Sequence, residues 1–150
     1  MAAITFREIA HNSSDYRQAV ALRSTILRQP LGLSFSSEQL KSEAGCHHLG
    51  GFLQAELIAC LVLQPLDGKT MRIRQLAVKE ELRGQGIGRM LVHASEVFAC
   101  ERGFQQLTLH ARESAVGFYE RLGYSTIGAC FLEVTLPHWA MHKTLAPTSP

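Results

Sequence analysis

The sequence predicts an α+β fold built on one mixed sheet, and three observations predict it. Residues 57–63 form an uninterrupted apolar run of the length and composition expected for a buried central strand. Residues 71–78 alternate, with Met71, Ile73, Gln75 and Ala77 on one side and Arg72, Arg74, Leu76 and Val78 on the other, as a strand with one partly basic face would. Ile87, Met90, Leu91, Ala94, Val97 and Phe98 recur at helical spacing, while Arg89, His93 and Glu96 take the opposite face. Strand and helix patterns follow one another in mixed rather than strict alternation, so a single α+β or α/β sheet follows.

Each element has its own signal. Residues 4–9 are β-branched and alternating, a first strand. Ser13 or Ser14 then caps a helix running toward Arg28 and ending before Pro30. A short second helix is expected from about Ser37, inside a Gly- and Ser-containing loop. Residues 48–53 and 56–63, separated by Gln54 and Ala55, read as an antiparallel hairpin, and residues 65–68 as a turn. Gly103 stops the strong helix, residues 106–110 alternate as a fifth strand, and Ala115, Phe118, Tyr119 and Leu122 mark a short helix closed by Gly123. Two last strands are expected near 124–132 and 139–144. The expectation is one domain over 1–145 and a flexible tail over 146–150.

Composition narrows the function. The chain has 150 residues, 46% hydrophobic and 19% charged, without the roughly 20-residue apolar run of a spanning helix. The first residues lack a basic-then-apolar layout, so a cytoplasmic location without membrane attachment is expected. A formal charge of +2, without a basic run or tail, argues against nucleic acid as a partner. Cys46, Cys60, Cys100 and Cys130 form no CxxC pair and are read as small buried hydrophobes. His47 and His48 lack carboxylate or further cysteine companions at ligand spacing beyond Cys46, and no metal is expected.

The informative segment is Arg83-Gly84-Gln85-Gly86-Ile87-Gly88, between a strand and the strongest helix. Glycines let a backbone approach phosphate oxygens, and a helix N-terminus favours an anion. A P-loop needs Gly-Lys followed by Ser or Thr, but Arg89 and Met90 follow Gly88; a Rossmann GxGxxG needs glycine where Arg89 stands. What remains is RxxGxG after Leu76-Ala77-Val78, and this resembles the pyrophosphate loop of the GCN5-related N-acetyltransferase (GNAT) superfamily. Phe118-Tyr119-Glu120-Arg121-Leu122-Gly123-Tyr124 resembles the segment following that superfamily's fifth strand.

The resemblance implies a GNAT acyl-CoA N-acyltransferase fold, α+β or sandwich-like, whose mostly antiparallel sheet has six or seven strands flanked by about four helices. It implies acetyl-CoA as co-substrate and a primary amine as acceptor, and a small-molecule amine is expected because no added domain or charged patch offers a site for a protein partner. The fourth and fifth strands should separate into a wedge where Leu76, Ala77 and Val78 carry the pantetheine arm. Gly84, Gln85, Gly86, Ile87, Gly88 and Arg89 should hold the diphosphate, with Arg83 or Arg89 adding charge. Tyr119 matches the family's tyrosine and is the candidate acid for the departing thiolate as well as a cofactor contact. His110 and Arg112, the latter where many relatives have asparagine, should line the wedge. Many relatives carry a glutamate base on strand four; Arg74-Gln75-Leu76 has none, which leaves Glu133 and His138 as candidates. Two other readings stay open: a non-catalytic acyl-CoA sensor of the same fold, and a nucleotide-dependent enzyme disfavoured by the loop spacing. The final strand is available for pairing across a homodimer.

Overall fold

The computed structural model describes residues 3–146; apart from Ala146, the expected tail lies outside them. The strand order in the sheet is β1-β2-β3-β4-β5-β7-β6. Strands β4 and β5 run parallel, while β1/β2, β2/β3, β5/β7 and β6/β7 are antiparallel. Four α-helices accompany the strands among the described residues, so the expected mixed sheet is present. The chain divides into two compact units, residues 1–64 with 75–95 and residues 65–74 with 96–150.

The first unit begins with β1 (Ile4–Ile9) and α1 (Ser14–Arg23), whose N-cap Ser13 accepts from the Tyr16 N–H. Beyond Arg23 the helix widens into a π-turn over Ser24–Arg28 and tightens into a 3-10 turn over Gln29–Leu31, which Gly32 ends at φ 69°. Pro30, expected to lie beyond the helix, sits inside that last turn, at a position where its missing N–H costs no hydrogen bond. Helix α2 (Ser37–Ser42) starts at a capping box: the Gln39 N–H donates to Ser36 Oγ and the Ser36 N–H to Gln39 Oε1. Strands β2 (His47–Leu53) and β3 (Glu56–Pro65) form the expected hairpin. Gln54 and Ala55, at φ 50° and 69°, supply the left-handed pair that a two-residue turn with matching twist requires. Tyr16 and Ala19 of α1 pack in one cluster with Ile9, Phe52, Leu57, Cys60 and Ala77.

Strand β4 (Thr70–Val78) buries Met71, Ile73 and Ala77 in the expected alternation, but Gln75 has φ 56°, a left-handed conformation inside a strand that the alternation did not announce.

In the second unit β4 pairs with β5 (Gln106–Arg112) from Thr70↔Gln106 to Ile73↔Leu109. On its other side β5 pairs with β7 (Leu136–Thr144) from Gln106↔Thr144 to Arg112↔His138. Helix α4 (Val116–Arg121) follows a 3-10 turn over Glu113–Ala115, and Gly123 closes it at φ 97°. Strand β6 (Ser125–Glu133) pairs with β7 and is exposed along most of its length.

Two expectations need correction. In α3 (Ile87–Glu101) the buried positions are Ile87, Leu91, Val92, Ser95, Phe98 and Ala99, while Val97 is 42% exposed. Glu96, expected on the solvent face, accepts from buried Tyr124 (2.8 Å) and from Lys143 (3.1 Å). Of the four cysteines only Cys60 is buried; Cys46 and Cys100 are half-buried, and Cys130 is exposed because β6 is an edge strand.

Candidate active site

The glycine segment forms a bend of distinct geometry in the first unit. After Val78 the chain makes a 3-10 turn over Glu80–Leu82 and extends at Arg83, with φ −65° and ψ 153°. It then turns twice through the left-handed region, at Gly84 (φ 81°) and Gly86 (φ 80°), and enters α3. The first intrahelical bond runs from the Met90 N–H to the Gly86 carbonyl at 3.0 Å. The N–H groups of Ile87, Gly88 and Arg89 therefore have no carbonyl of a preceding turn to meet, and they emerge at the positive end of a 15-residue helix dipole. The Arg89 side chain folds back over Gly86, its Nη2 3.4 Å from where a Cβ would stand. Arg83, Gly84, Gln85 and Arg89 are exposed. Of the strand residues leading in, Ala77 is buried in the core cluster, and Leu76 and Val78 are half-buried. These residues can hold a diphosphate: small-residue backbone, open N–H groups, and two arginines beside them.

In the second unit Tyr119 is 8% exposed and meets Phe118 and Tyr124 edge-on, with centroids 5.0 and 5.8 Å apart. Burial raises its pKa well above the ordinary phenol value, so the group carries its proton throughout the neutral range.

Glu133 ends β6, immediately before the turn residues Val134 (φ 51°) and Thr135 (φ 64°). There its carboxylate meets two histidines from neighbouring strands. Oε1 lies 2.9 Å from Nδ1 of His110, and Oε2 lies 3.7 Å from Nε2 of His138. A carboxylate only accepts, so His110 donates from Nδ1. Nδ1 of His138 donates to the Leu136 carbonyl at 2.9 Å, and both of its nitrogens thus face oxygen acceptors. The Phe131 ring lies against both imidazoles, at 5.0 and 6.1 Å. Arg112 stands opposite His138 in the β5/β7 register. Glu133 and His138, paired as candidate bases from the sequence, thus come together with His110, Glu133 hydrogen-bonding His110 and lying 3.7 Å from His138.

The sequence reading missed a second polar group, inside the first unit. Arg23, 1% exposed, donates from Nη1 to Glu43 Oε2 (2.9 Å) and from Nη2 to Glu43 Oε1 (2.8 Å). The Tyr16 hydroxyl donates to Glu43 Oε1 at 2.7 Å, and Nη1 of Arg23 also donates to Gln75 Oε1 at 2.7 Å. Desolvation alone pushes the Glu43 carboxyl up, but the bonds from Arg23, with Tyr16 and His48 adding to them, bring it below the usual carboxylate range. Desolvation lowers His48, whose Nε2 lies 3.1 Å from the Glu43 carbonyl. The left-handed Gln75 costs on the order of 1–3 kcal/mol, and the Arg23–Glu43 pair holds its side chain. No sequence motif marks this group, since its members stand 20 and 52 positions apart.

A family model, the acetyltransferase (GNAT) family, matches residues 15–124, most of the chain and both motif segments. The chain belongs to the GNAT acetyltransferase family. A crystal structure from Lactobacillus plantarum, of a protein provisionally named an N-acetyltransferase, is 31% identical to this GNAT chain. It covers 96% of this chain and 99% of its own, with a TM-score of 0.85. A provisionally named acetyltransferase of Bacillus subtilis (strain 168) is 27% identical over 93% of this chain and 92% of its own length. A GNAT family acetyltransferase from Elizabethkingia anophelis, determined with acetyl-CoA bound, shares the fold at 19% identity, covering 95% of this chain and 98% of its own with a TM-score of 0.72. The protein is a GNAT-type acyltransferase, and its mixed seven-stranded sheet with four helices is the GNAT acyl-CoA N-acyltransferase fold.

Proposed function

We propose that this protein transfers the acetyl group of acetyl-CoA to the primary amine of a small molecule, by direct attack through a tetrahedral intermediate. The observation that carries the reading is the bend from Arg83 to Arg89, where two left-handed glycines deliver the chain into α3 with its first N–H groups open. Gly84, Gln85, Gly86, Ile87, Gly88 and Arg89 hold the diphosphate, Arg83 and Arg89 add charge, and Leu76, Ala77 and Val78 bind the pantetheine arm. The donor supplies a thioester carbon open to attack by an amine. A β4 backbone N–H meets the developing oxyanion, a contact worth about 2.7–4 kcal/mol in other acyl-transfer enzymes.

An alkyl amine, with a pKa near 10, must lose a proton to attack. Glu133 and His138 take that proton; their link to His110 supports the assignment, because it joins a carboxylate to two imidazoles. His110 and Arg112 also border the cofactor. Tyr119 protonates the departing thiolate. Its raised pKa keeps it protonated, and the burial that weakens it as an acid raises a thiol generated in the same surroundings too. The unit of function is one domain over 1–145, cytoplasmic and available for homodimer formation.

A second reading, an acyl-CoA sensor without turnover, is favoured by one feature: the β4 stretch Arg74-Gln75-Leu76 lacks the glutamate base that many relatives carry, and its Gln75 is engaged by Arg23. Calorimetric titration with acetyl-CoA alongside thiol release over an amine panel separates the two. Binding with amine-dependent release supports transfer; binding without release from any amine supports the sensor.

A further inference from the structure

We infer that Glu96 and Lys143 are positioning residues for the transfer step, holding Tyr124 and the end of α4 so that Tyr119 keeps a fixed place; this rests on the reading of Tyr119 as the acid that protonates the departing thiolate. All of these residues belong to the second unit. Helix α4 spans six residues and starts without a side-chain cap, too short a helix to hold a ring in place by its own bonds. Tyr119 is set instead by what surrounds it. Its ring meets Tyr124 edge-on, with centroids 5.8 Å apart, and its carbonyl accepts from the N–H groups of Leu122 (3.0 Å) and Tyr124 (3.1 Å). Whatever fixes Leu122 and Tyr124 therefore fixes Tyr119 with them.

Both are fixed by one closed circuit of hydrogen bonds. The Tyr124 hydroxyl donates to Glu96 Oε2 at 2.8 Å. Lys143, on β7, donates to both oxygens of the same carboxylate, at 3.1 and 3.2 Å, and to the Leu122 carbonyl at 2.8 Å. The circuit thus runs from Leu122 through Lys143, Glu96 and Tyr124 and back along the chain to Leu122. Gly123 stands inside it at φ 97°, and a Cβ there would lie 3.3 Å from Lys143 Cε, so the glycine both makes the turn and leaves the lysine stem its path. The ammonium also lies 5.6 Å from the centre of the Tyr124 ring. Bonds to charged groups are the strong ones, and Tyr124 is 2% exposed, so water does not compete for its anchor. A general acid acts only within hydrogen-bond reach of the atom it protonates, and a displacement near 1 Å can cost about 10²-fold. The circuit accordingly acts on turnover through the placement of the Tyr119 hydroxyl.

The test measures kcat and the KM for acetyl-CoA by thiol release, with whichever of ethanolamine, glycinamide and isobutylamine the wild type acetylates fastest. Tyr124→Phe, Glu96→Gln and Lys143→Met are each made alone and together with Tyr119→Phe. Each single change is expected to lower kcat about tenfold with KM held within about twofold, and to lower it no further in the Tyr119→Phe background. Lys143→Arg, which still offers donors to Glu96 and to the Leu122 carbonyl, should restore most of the loss seen in Lys143→Met. If Lys143→Met melts early, Tyr124→Phe carries the test, since it keeps the ring and the Glu96–Lys143 pair. A kcat within about twofold of wild type in both Tyr124→Phe and Glu96→Gln, or losses equal with and without the Tyr119 hydroxyl, overturns the inference while leaving transfer intact. Wild-type kcat in Tyr119→Phe removes the acid and this inference with it, again leaving transfer intact. A wild type that binds acetyl-CoA but releases no thiol with any of these amines overturns the transfer reading, and this one with it.

Discussion

Two polar groups of this protein each centre on a glutamate and do opposite things. In Arg23–Glu43–Tyr16–Gln75 both Glu43 oxygens and the Gln75 oxygen are claimed inside the fold, the charges cancel, and the central pair is sealed from water. In His110–Glu133–His138 the carboxylate is 42% exposed, and the cluster stands at a hairpin end. A sealed network fixes geometry, whereas an open one can exchange a proton. The first should therefore be read out in stability and the second in turnover.

The largest effect is expected from breaking the sealed pair. Arg23→Met leaves the buried Glu43 carboxylate without its counter-ion, held only by the Tyr16 hydroxyl, and should cost about 3–5 kcal/mol in urea unfolding. A loss below about 1 kcal/mol would mean the pair is better solvated than its geometry states. Next, Glu133→Gln keeps shape but weakens the imidazole anchors. It should lower kcat about 10²-fold with little change in melting temperature, as should His138→Gln if that residue takes the proton. A fall in stability without a fall in kcat would move this cluster into the structural class. Tyr119→Phe should reduce kcat by a comparable factor while acetyl-CoA affinity, measured by calorimetry, is retained; equal loss of binding would count against its role as acid.

The smallest effect is in pH. The folded-state pKa of His48 is held below the ordinary imidazole value near 6.5 by desolvation, and that of Glu43 below the ordinary carboxylate value near 4.3. Both groups are depressed, so each contributes stability that is complete above its unfolded pKa and is lost as pH falls toward its folded pKa. The melting temperature should thus decline first below about pH 6.5 and again below about pH 4.3. His48→Gln should remove the first step. A melting temperature flat from pH 7 to 5 would show that His48 carries no such linkage.

Much of the fold was legible in the sequence because its signals are local. The cap at Ser13, the helix start near Ser37, the Gln54–Ala55 turn and the run over 57–63 are each decided within a few residues. The glycine bend was legible for the same reason. What escaped was set by distant partners. Glu96 looked solvated on a helical wheel but is claimed by Tyr124 and Lys143, 28 and 47 positions away. Gln75 looked like one more alternating residue because periodicity contains no information on φ, and Arg23 carried no signal of its own. Glu133 and His138 were visible as a pair, but joining His110 to them needed the β5/β7/β6 register.

The most direct measurement is a crystal structure of the protein grown with coenzyme A. Diphosphate oxygens should lie about 2.7–3.2 Å from main-chain nitrogens between Gly84 and Arg89, with an arginine of that bend turned onto them. Coenzyme A bound elsewhere, with this bend vacant at saturating ligand, would contradict the assignment.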